Sequence, residues 1–386
     1  MKSVKTLALV LACMLTAVLF AGCAGGGSDT IKIGFIGPLT GEVAQYGVAA
    51  QNAMNLYIDS LNEKGGIGGK KIELISYDDK GDATEAVNAY NKLVTSDEVV
   101  AILGAITSTP TIAVAQQSAV DNVPMMTPTA THADVTSYGN NTFRACFLDP
   151  FQGSTMAKFS VDELSAKTAA VIYNTSDAYS SGLRDSFIET AGEVGLEIVA
   201  DEGYSKDDVD FKAQLTNIAA ADPDVLFVPD YYNNVYIISS QSKEIGLRAT
   251  LLGIDGADGV LAIEGADSAN VEGLYFANHY STEDPSELVQ GFLSGYEEEF
   301  GQTPSALAAL GYDGAMILCS ALEKVAASGV KLESSDKVFQ AVIDELDATD
   351  MDCVTGHITY DENNNPIKSL AIIKVEAGEY TLYMKY

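Results

Sequence analysis

From residue 31 onward the chain alternates short apolar runs with segments whose apolar positions recur three and four apart. Residues 31–37 form an apolar run of strand length. Between 48 and 61, Ala50, Met54, Tyr57, Ile58 and Leu61 fall at the spacing of an amphipathic helix, and Gly65-Gly66-Ile67-Gly68-Gly69 ends it. The same alternation predicts strands over 71–77, 99–103 and 124–127, with helices over 84–96 and 110–120 between them. This order implies a parallel sheet covered by helices on both faces. The pattern restarts after Asp149. Strands are predicted over 169–173, 197–200, 224–228 and 250–254, and helices over 181–194, 211–220 and 234–245. Residues 275–282 read as a connection, and three helices follow over 285–300, 304–327 and 336–346. The end changes character: 356–360, a polar turn at 361–366, 369–376 and 380–384 predict antiparallel hairpins. The expected fold class is α/β, with two doubly wound parallel-sheet units of similar size.

The first 30 residues stand outside this pattern. Lys2 and Lys5 precede an uncharged apolar run over 6–20, too short to cross a bilayer comfortably, which reads as an export signal. It ends in Phe20-Ala21-Gly22-Cys23, followed by the spacer Ala24-Gly25-Gly26-Gly27-Ser28-Asp29. A cysteine directly after Ala-Gly resembles a bacterial lipobox, in which Cys23 takes lipid and becomes the first mature residue. Phe20 stands where Leu is usual. The alternative is an ordinary secretory signal with an incidental cysteine. A leader over 1–22, a flexible spacer over 23–30 and a body lipid-anchored to the outer face of a bacterial membrane are therefore expected. No other stretch reads as long and apolar enough to span a membrane.

Charge narrows the partners. The chain holds 22 basic and 54 acidic side chains, and the leader has two of the lysines and no acid, so the mature charge is −34 (20 − 54). Such a field repels nucleic acid and anionic lipid and disfavours self-association, so a monomer is expected. The ~360 residues after the leader exceed one typical core, which predicts two domains. Cys146, Cys319 and Cys353 are an odd number without CxxC spacing, which favours free thiols, a single bridge being the alternative.

Catalytic signatures are missing from the sequence. There is no Gly-x-Ser-x-Gly elbow and no His-Glu-x-x-His, and Gly69-Lys70-Lys71 lacks the rest of a phosphate-binding loop. His132, His279 and His357 are scattered without ligand spacing and read as structural or surface residues. Asp78-Asp79-Lys80-Gly81-Asp82 and Asp207-Asp208-Val209-Asp210 lack a full calcium register and read as solvated turns. No enzyme, metal or cofactor is expected. What stands out is the set of residues following the predicted strands, where open parallel sheets bind ligands. Thr107-Ser108-Thr109-Pro110 and Pro128-Thr129-Ala130-Thr131 leave one unit; Tyr179, Asp230-Tyr231-Tyr232 and Asp255-Gly256 leave the other. Ser108 or Thr109 suits an N-cap before Pro110, and a helix start there offers N–H groups to a carboxylate. Asp255 is the opposite pole, suited to an ammonium. The pair describes a zwitterion.

Further stretches carry a resemblance. They are Gly37-Pro38-Leu39-Thr40-Gly41 through Tyr46-Gly47, Asn62-Glu63-Lys64-Gly65-Gly66-Ile67, Tyr77-Asp78-Asp79, Ser108, Thr127-Pro128-Thr129-Ala130-Thr131, Asp149-Pro150-Phe151-Gln152-Gly153 and Gly253-Ile254-Asp255-Gly256. In order and over nearly the whole mature chain, these resemble the leucine/isoleucine/valine-binding proteins of ABC transporters. The resemblance implies two lobes joined by a three-strand hinge, 31–148 plus 281–356 and 149–280 plus 357–386, with an amino acid trapped between them. It implies that Ser108 and Thr131 hold the carboxylate, that the Thr129 carbonyl and Asp255 hold the ammonium, and that Tyr46, Tyr179 and Tyr231 close around both. Ile106 and Tyr312 would line an uncharged side-chain pocket, which suits an aliphatic ligand. An ABC permease and its ATPase would be the partners. The family's best-known members have Glu at the Asp255 place, Ala at that of Thr129, and a disulfide whose two positions are not cysteine here. The same fold holding an amide, urea or carboxylic acid, or serving as a sensory protein, is the alternative.

Overall fold

A computed structural model describes residues 30–386; the leader and Cys23 lie outside the described residues. The first lobe begins with β1 (Thr30–Gly37), α1 (Ala44–Glu63), β2 (Lys71–Asp78) and α2 (Ala83–Lys92), which runs into a π-helical turn. Then come β3 (Ile102–Leu103), α3 (Ser108–Asp121), β4 (Met125–Thr127) and β5 (Thr142–Arg144). The sheet order is β2-β1-β3-β4-β5, parallel throughout.

The chain then enters the second lobe through α4 (Asp149–Asp162), β6 (Thr168–Asn174), α5 (Ala178–Val194), β7 (Glu197–Tyr204) and α6 (Lys212–Ala221). It continues through β8 (Val225–Phe227), α7 (Tyr232–Glu244), β9 (Thr250–Gly253) and β10 (Tyr275–Asn278). It returns to the first lobe for α8 (Glu287–Phe300), α9 (Ala306–Ala327) and α10 (Asp336–Asp347). A small ribbon of β11 (Asp350–Cys353) and β12 (Gly356–Thr359) follows, and the hairpin β13 (Ala371–Glu376) and β14 (Glu379–Lys385) closes the second sheet. That sheet runs β14-β13-β10-β9-β8-β6-β7, with only β13 running opposite to the other strands.

The chain thus crosses between lobes three times, after β5, after β10 and before β13. Lys368 ties the crossings together: its ammonium donates to the Ala145 carbonyl at 2.8 Å and to the Thr355 hydroxyl. The two-lobe α/β architecture with a three-strand hinge is the one expected.

Several elements differ from expectation for local reasons. β5 and α4 carry too many polar residues to show in a hydrophobic pattern; Arg144 and Gln152 are both fully buried. The predicted connection at 275 is β10, a four-residue strand inside the second sheet. The segment expected to open a terminal hairpin pairs backward instead, Cys353 opposite Gly356. Helix α9, at 22 residues, is long and apolar enough to cross a membrane, which amends the expectation that no such stretch follows the leader; most of it is buried. It lies so close to α1 that a Cβ on Gly311 would sit 2.7 Å from the Ala50 carbonyl oxygen. Cys146, Cys319 and Cys353 are free and buried.

Candidate ligand-binding site

The first wall of the cleft is built by the exits of β3 and β4. Helix α3 begins at Ser108, so the cap position belongs to Thr107, not to Ser108 or Thr109, and no side chain caps it. Its first N–H groups and the positive end of its dipole therefore face the cleft without a side-chain acceptor. Thr129 donates to the Ile106 carbonyl at 2.5 Å, tying the two exits together. Buried Arg144 donates from one nitrogen to the carbonyls of Ala130 and His132, both at 3.0 Å, and so fixes the backbone on either side of Thr131. The Thr131 hydroxyl is buried and closes no well-shaped hydrogen bond, although the Asp149 carboxyl lies beside it. Burial pushes that carboxyl well above the usual range.

The second wall centres on Asp255, at the exit of β9. Its Oδ1 accepts from the Tyr179 hydroxyl at 2.5 Å and from the Gln152 amide at 3.0 Å. Its Oδ2 lies 2.9 Å from His279 Nε2. Gln152 also accepts from the Asp255 backbone N–H at 3.1 Å. Tyr179 and Tyr231 stack in parallel with ring centres 4.8 Å apart, and Tyr46 meets Tyr231 edge-on at 5.8 Å. The Tyr231 hydroxyl is buried without a well-shaped hydrogen bond, beside Asp177. Burial raises the pKa of Tyr46, Tyr179 and Tyr231, so all three rings keep their protons.

The walls touch. Tyr46 donates to the Gly256 carbonyl and accepts from the Tyr232 N–H at 3.1 Å. Tyr232 itself turns to the rim and donates to the Glu42 carbonyl at 2.8 Å, so Tyr231 is the ring that faces inward. Thr109 donates to Asp177 at 2.6 Å and accepts from the Ala178 N–H at 3.2 Å.

Between the walls lies a cavity of about 20 Å³, lined by Tyr46, Ile106, Thr107, Ser108, Thr129, Thr131, Tyr179, Tyr231, Asp255, Gly256 and Leu307. Eight of the expected residues thus converge on it. Tyr312 does not: its ring packs against Tyr57 and Phe292, with centres 5.2 and 5.0 Å away. Leu307, five residues earlier on α9, faces the cavity instead. Five residues turn an α-helix about 140° past a full turn, enough to point Tyr312 elsewhere. Two larger clefts, about 600 and 360 Å³, open beside the hinge, but neither includes Ser108, Thr131 or Asp255. Gln152 was legible only as part of a resembling motif, and His279 and Leu307 gave no signal of their own.

A model of the periplasmic binding protein family matches residues 30–379, and the chain belongs to that family. It is 31% identical over 382 residues to the Leu/Ile/Val-binding protein BraC3 of Rhizobium johnstonii, covering 97% of this chain and 98% of that one. Among solved structures it is similar to the leucine binding protein LivK of Thermotoga maritima, with a TM-score of 0.84 and 31% identity over 92% of this chain and 98% of that one. It is equally similar to the branched-chain amino acid transporter substrate binding protein LivJ of Streptococcus pneumoniae in complex with isoleucine. There the TM-score is 0.84 and the identity 32%, again over 92% and 98%.

Proposed function

We propose that this chain captures an aliphatic, branched-chain amino acid outside the cytoplasm and delivers it to an ABC permease and its ATPase. It does no covalent chemistry. The observation that carries this reading is the polarity of the cavity. Neutral donors and the α3 N-terminus lie on one wall, and a held carboxylate, Asp255, lies on the other. A zwitterion satisfies both poles at once. A plain carboxylic acid, amide or urea leaves Asp255 without a cation. Ser108, Thr131 and the α3 N–H groups take the ligand's carboxylate; the Thr129 carbonyl and Asp255 take its ammonium. Ile106, Leu307 and the Tyr46 ring surround the side chain, and none of them offers a charge to an acidic or basic one. Tyr46, Tyr179 and Tyr231 close over the ligand, and the bonds joining the walls favour the closed form that a permease would recognise. Differential affinity for closed over open lobes drives that change. The names of the relatives support the same ligand class.

The test is calorimetric competition on protein unfolded and refolded to strip carried-over ligand. Leucine, isoleucine or valine should bind ~tenfold or more tightly than alanine, because each buried methylene contributes ~0.8 kcal/mol. Tightest binding by glutamate or arginine would overturn the side-chain assignment. The anchor has its own test: Cys23→Ser should abolish incorporation of a fatty-acid probe, and continued labelling would place the anchor elsewhere.

A further inference from the structure

The mouth of the second sheet holds a buried imidazole that recognition of a zwitterion does not by itself require. His279 follows β10 directly and starts the second crossing between the lobes. Its side chain is completely buried, and Nε2 lies 2.9 Å from Asp255 Oδ2. The ring stacks on Phe147, in the first crossing, with centres 3.7 Å apart. Nδ1 is buried and has no hydrogen-bond partner among the described residues. That geometry selects one tautomer. A carboxylate accepts only, so Nε2 carries the proton, and Nδ1 is left as a bare lone pair. A second proton would have to sit on Nδ1 as a buried, unsatisfied donor.

We propose that His279 is a positioning residue for ligand recognition: by donating Nε2–H to Asp255 Oδ2 and stacking on Phe147, it fixes the carboxylate that receives the ligand's ammonium and ties it to the hinge. This inference rests on the amino-acid reading above. Tyr179 and Gln152 already occupy Oδ1. With His279 on Oδ2, one lone pair of that oxygen is left for the ammonium. Asp255 reaches the ligand from a short side chain, so a sideways swing of its carboxylate would move the accepting oxygen out of reach. The imidazole prevents the swing without bringing a charge of its own.

The charged and titratable surroundings agree. Asp255 raises the affinity of His279 for a proton, whereas burial, the larger effect, and Lys368 in the third crossing lower it. Around Asp255 itself stand Asp149, Asp258, Cys146, Tyr46 and Tyr179. The net direction for His279 is downward from the ordinary histidine value, so it is neutral at neutral pH. Protonating it in acid puts a cation beside Asp255 in competition with the ligand's ammonium, and affinity must fall.

The test uses the wild type, His279→Phe, which keeps the stack but not the donor, and His279→Gln, which keeps a donor near the Nε2 place. Leucine and 2-hydroxy-4-methylpentanoate, its analogue without a cation, are titrated from about pH 7.5 down to about pH 5, through the range in which a histidine can change charge. His279→Phe should weaken leucine ~tenfold or more at neutral pH while changing the hydroxy acid ~threefold or less, because the lost bond acts on a charged receptor. His279→Gln should restore most of the leucine affinity and show a shallower acid-side fall than the wild type. Equal losses for both ligands in His279→Phe, or no recovery of leucine affinity in His279→Gln, overturn the proposal. Should His279→Phe not fold, His279→Leu takes its place in the same two-ligand comparison. A wild type that binds none of leucine, isoleucine and valine overturns the amino-acid reading first, and this inference with it.

Discussion

The cleft wall from the five-stranded sheet and the wall from the seven-stranded sheet solve opposite recognition problems by different means. On the first, Ser108, Thr129, Thr131 and the start of α3 present hydroxyls and N–H groups, with no charged side chain reaching the cavity. Arg144 is buried behind the wall, where it binds the Ala130 and His132 carbonyls. On the second, a full charge is presented, and every hydrogen bond around it goes toward holding it still: Tyr179, Gln152 and His279 all converge on Asp255. An anion can be bound by several neutral dipoles that share its charge. A cation facing a single carboxylate depends on that one group. The first wall should therefore degrade gradually on mutation and the second abruptly.

The largest expected effect tests this asymmetry directly. Asp255→Ala leaves the buried ammonium without a counter-charge, with the Thr129 carbonyl alone to receive it, and should weaken leucine by ~3–5 kcal/mol. Thr131→Val removes one of several donors to the carboxylate and should cost ~1.5–3 kcal/mol. Calorimetry on both variants ranks the walls. A loss under fivefold for Asp255→Ala would remove Asp255 from the site, and a larger loss for Thr131→Val than for Asp255→Ala would invert the comparison.

The same two walls explain which parts of the site were legible in the sequence. Ser108, Thr131 and Asp255 follow strands directly, and the C-terminal ends of parallel strands form the mouth of a sheet wherever the strands are recognised. His279 follows a strand too. It reads as a structural or surface residue, away from the mouth, because β10, only Tyr-Phe-Ala-Asn, reads as a connection. Once β10 is placed beside β9, with Tyr275 opposite Leu252, its exit must lie next to Asp255. Strand β5 was hidden by Arg144, a cation inside a core strand that burial tolerates because carbonyls receive it. Tyr312 failed for a different reason. The helix that carries the pocket residue was recognised, but its phase was not, because α9 is apolar nearly all round and its pattern does not single out one face.

The smallest expected effect concerns what joins the walls rather than either wall alone. Thr109 belongs to the first turn of α3, and its hydroxyl bridges Asp177 and the Ala178 N–H at the start of α5. Asp177 is buried there and its carboxyl is pushed above the usual range by desolvation, with the Thr109 hydrogen bond pulling the other way. The bridge exists only while the lobes are together, and Thr109 does not line the cavity. Thr109→Val should therefore leave the encounter with ligand unchanged and destabilise the closed complex by ~0.5–1.5 kcal/mol, the net worth of an ordinary hydrogen bond. Stopped-flow measurement should show an unaltered association rate and leucine release accelerated by ~two- to tenfold, as expected when a variant acts on the bound state alone. Slower association with unchanged release would instead place Thr109 on the path of ligand entry. The latch would then be incidental to closure, and the two walls would be held together by the ligand, Tyr46 and Tyr232.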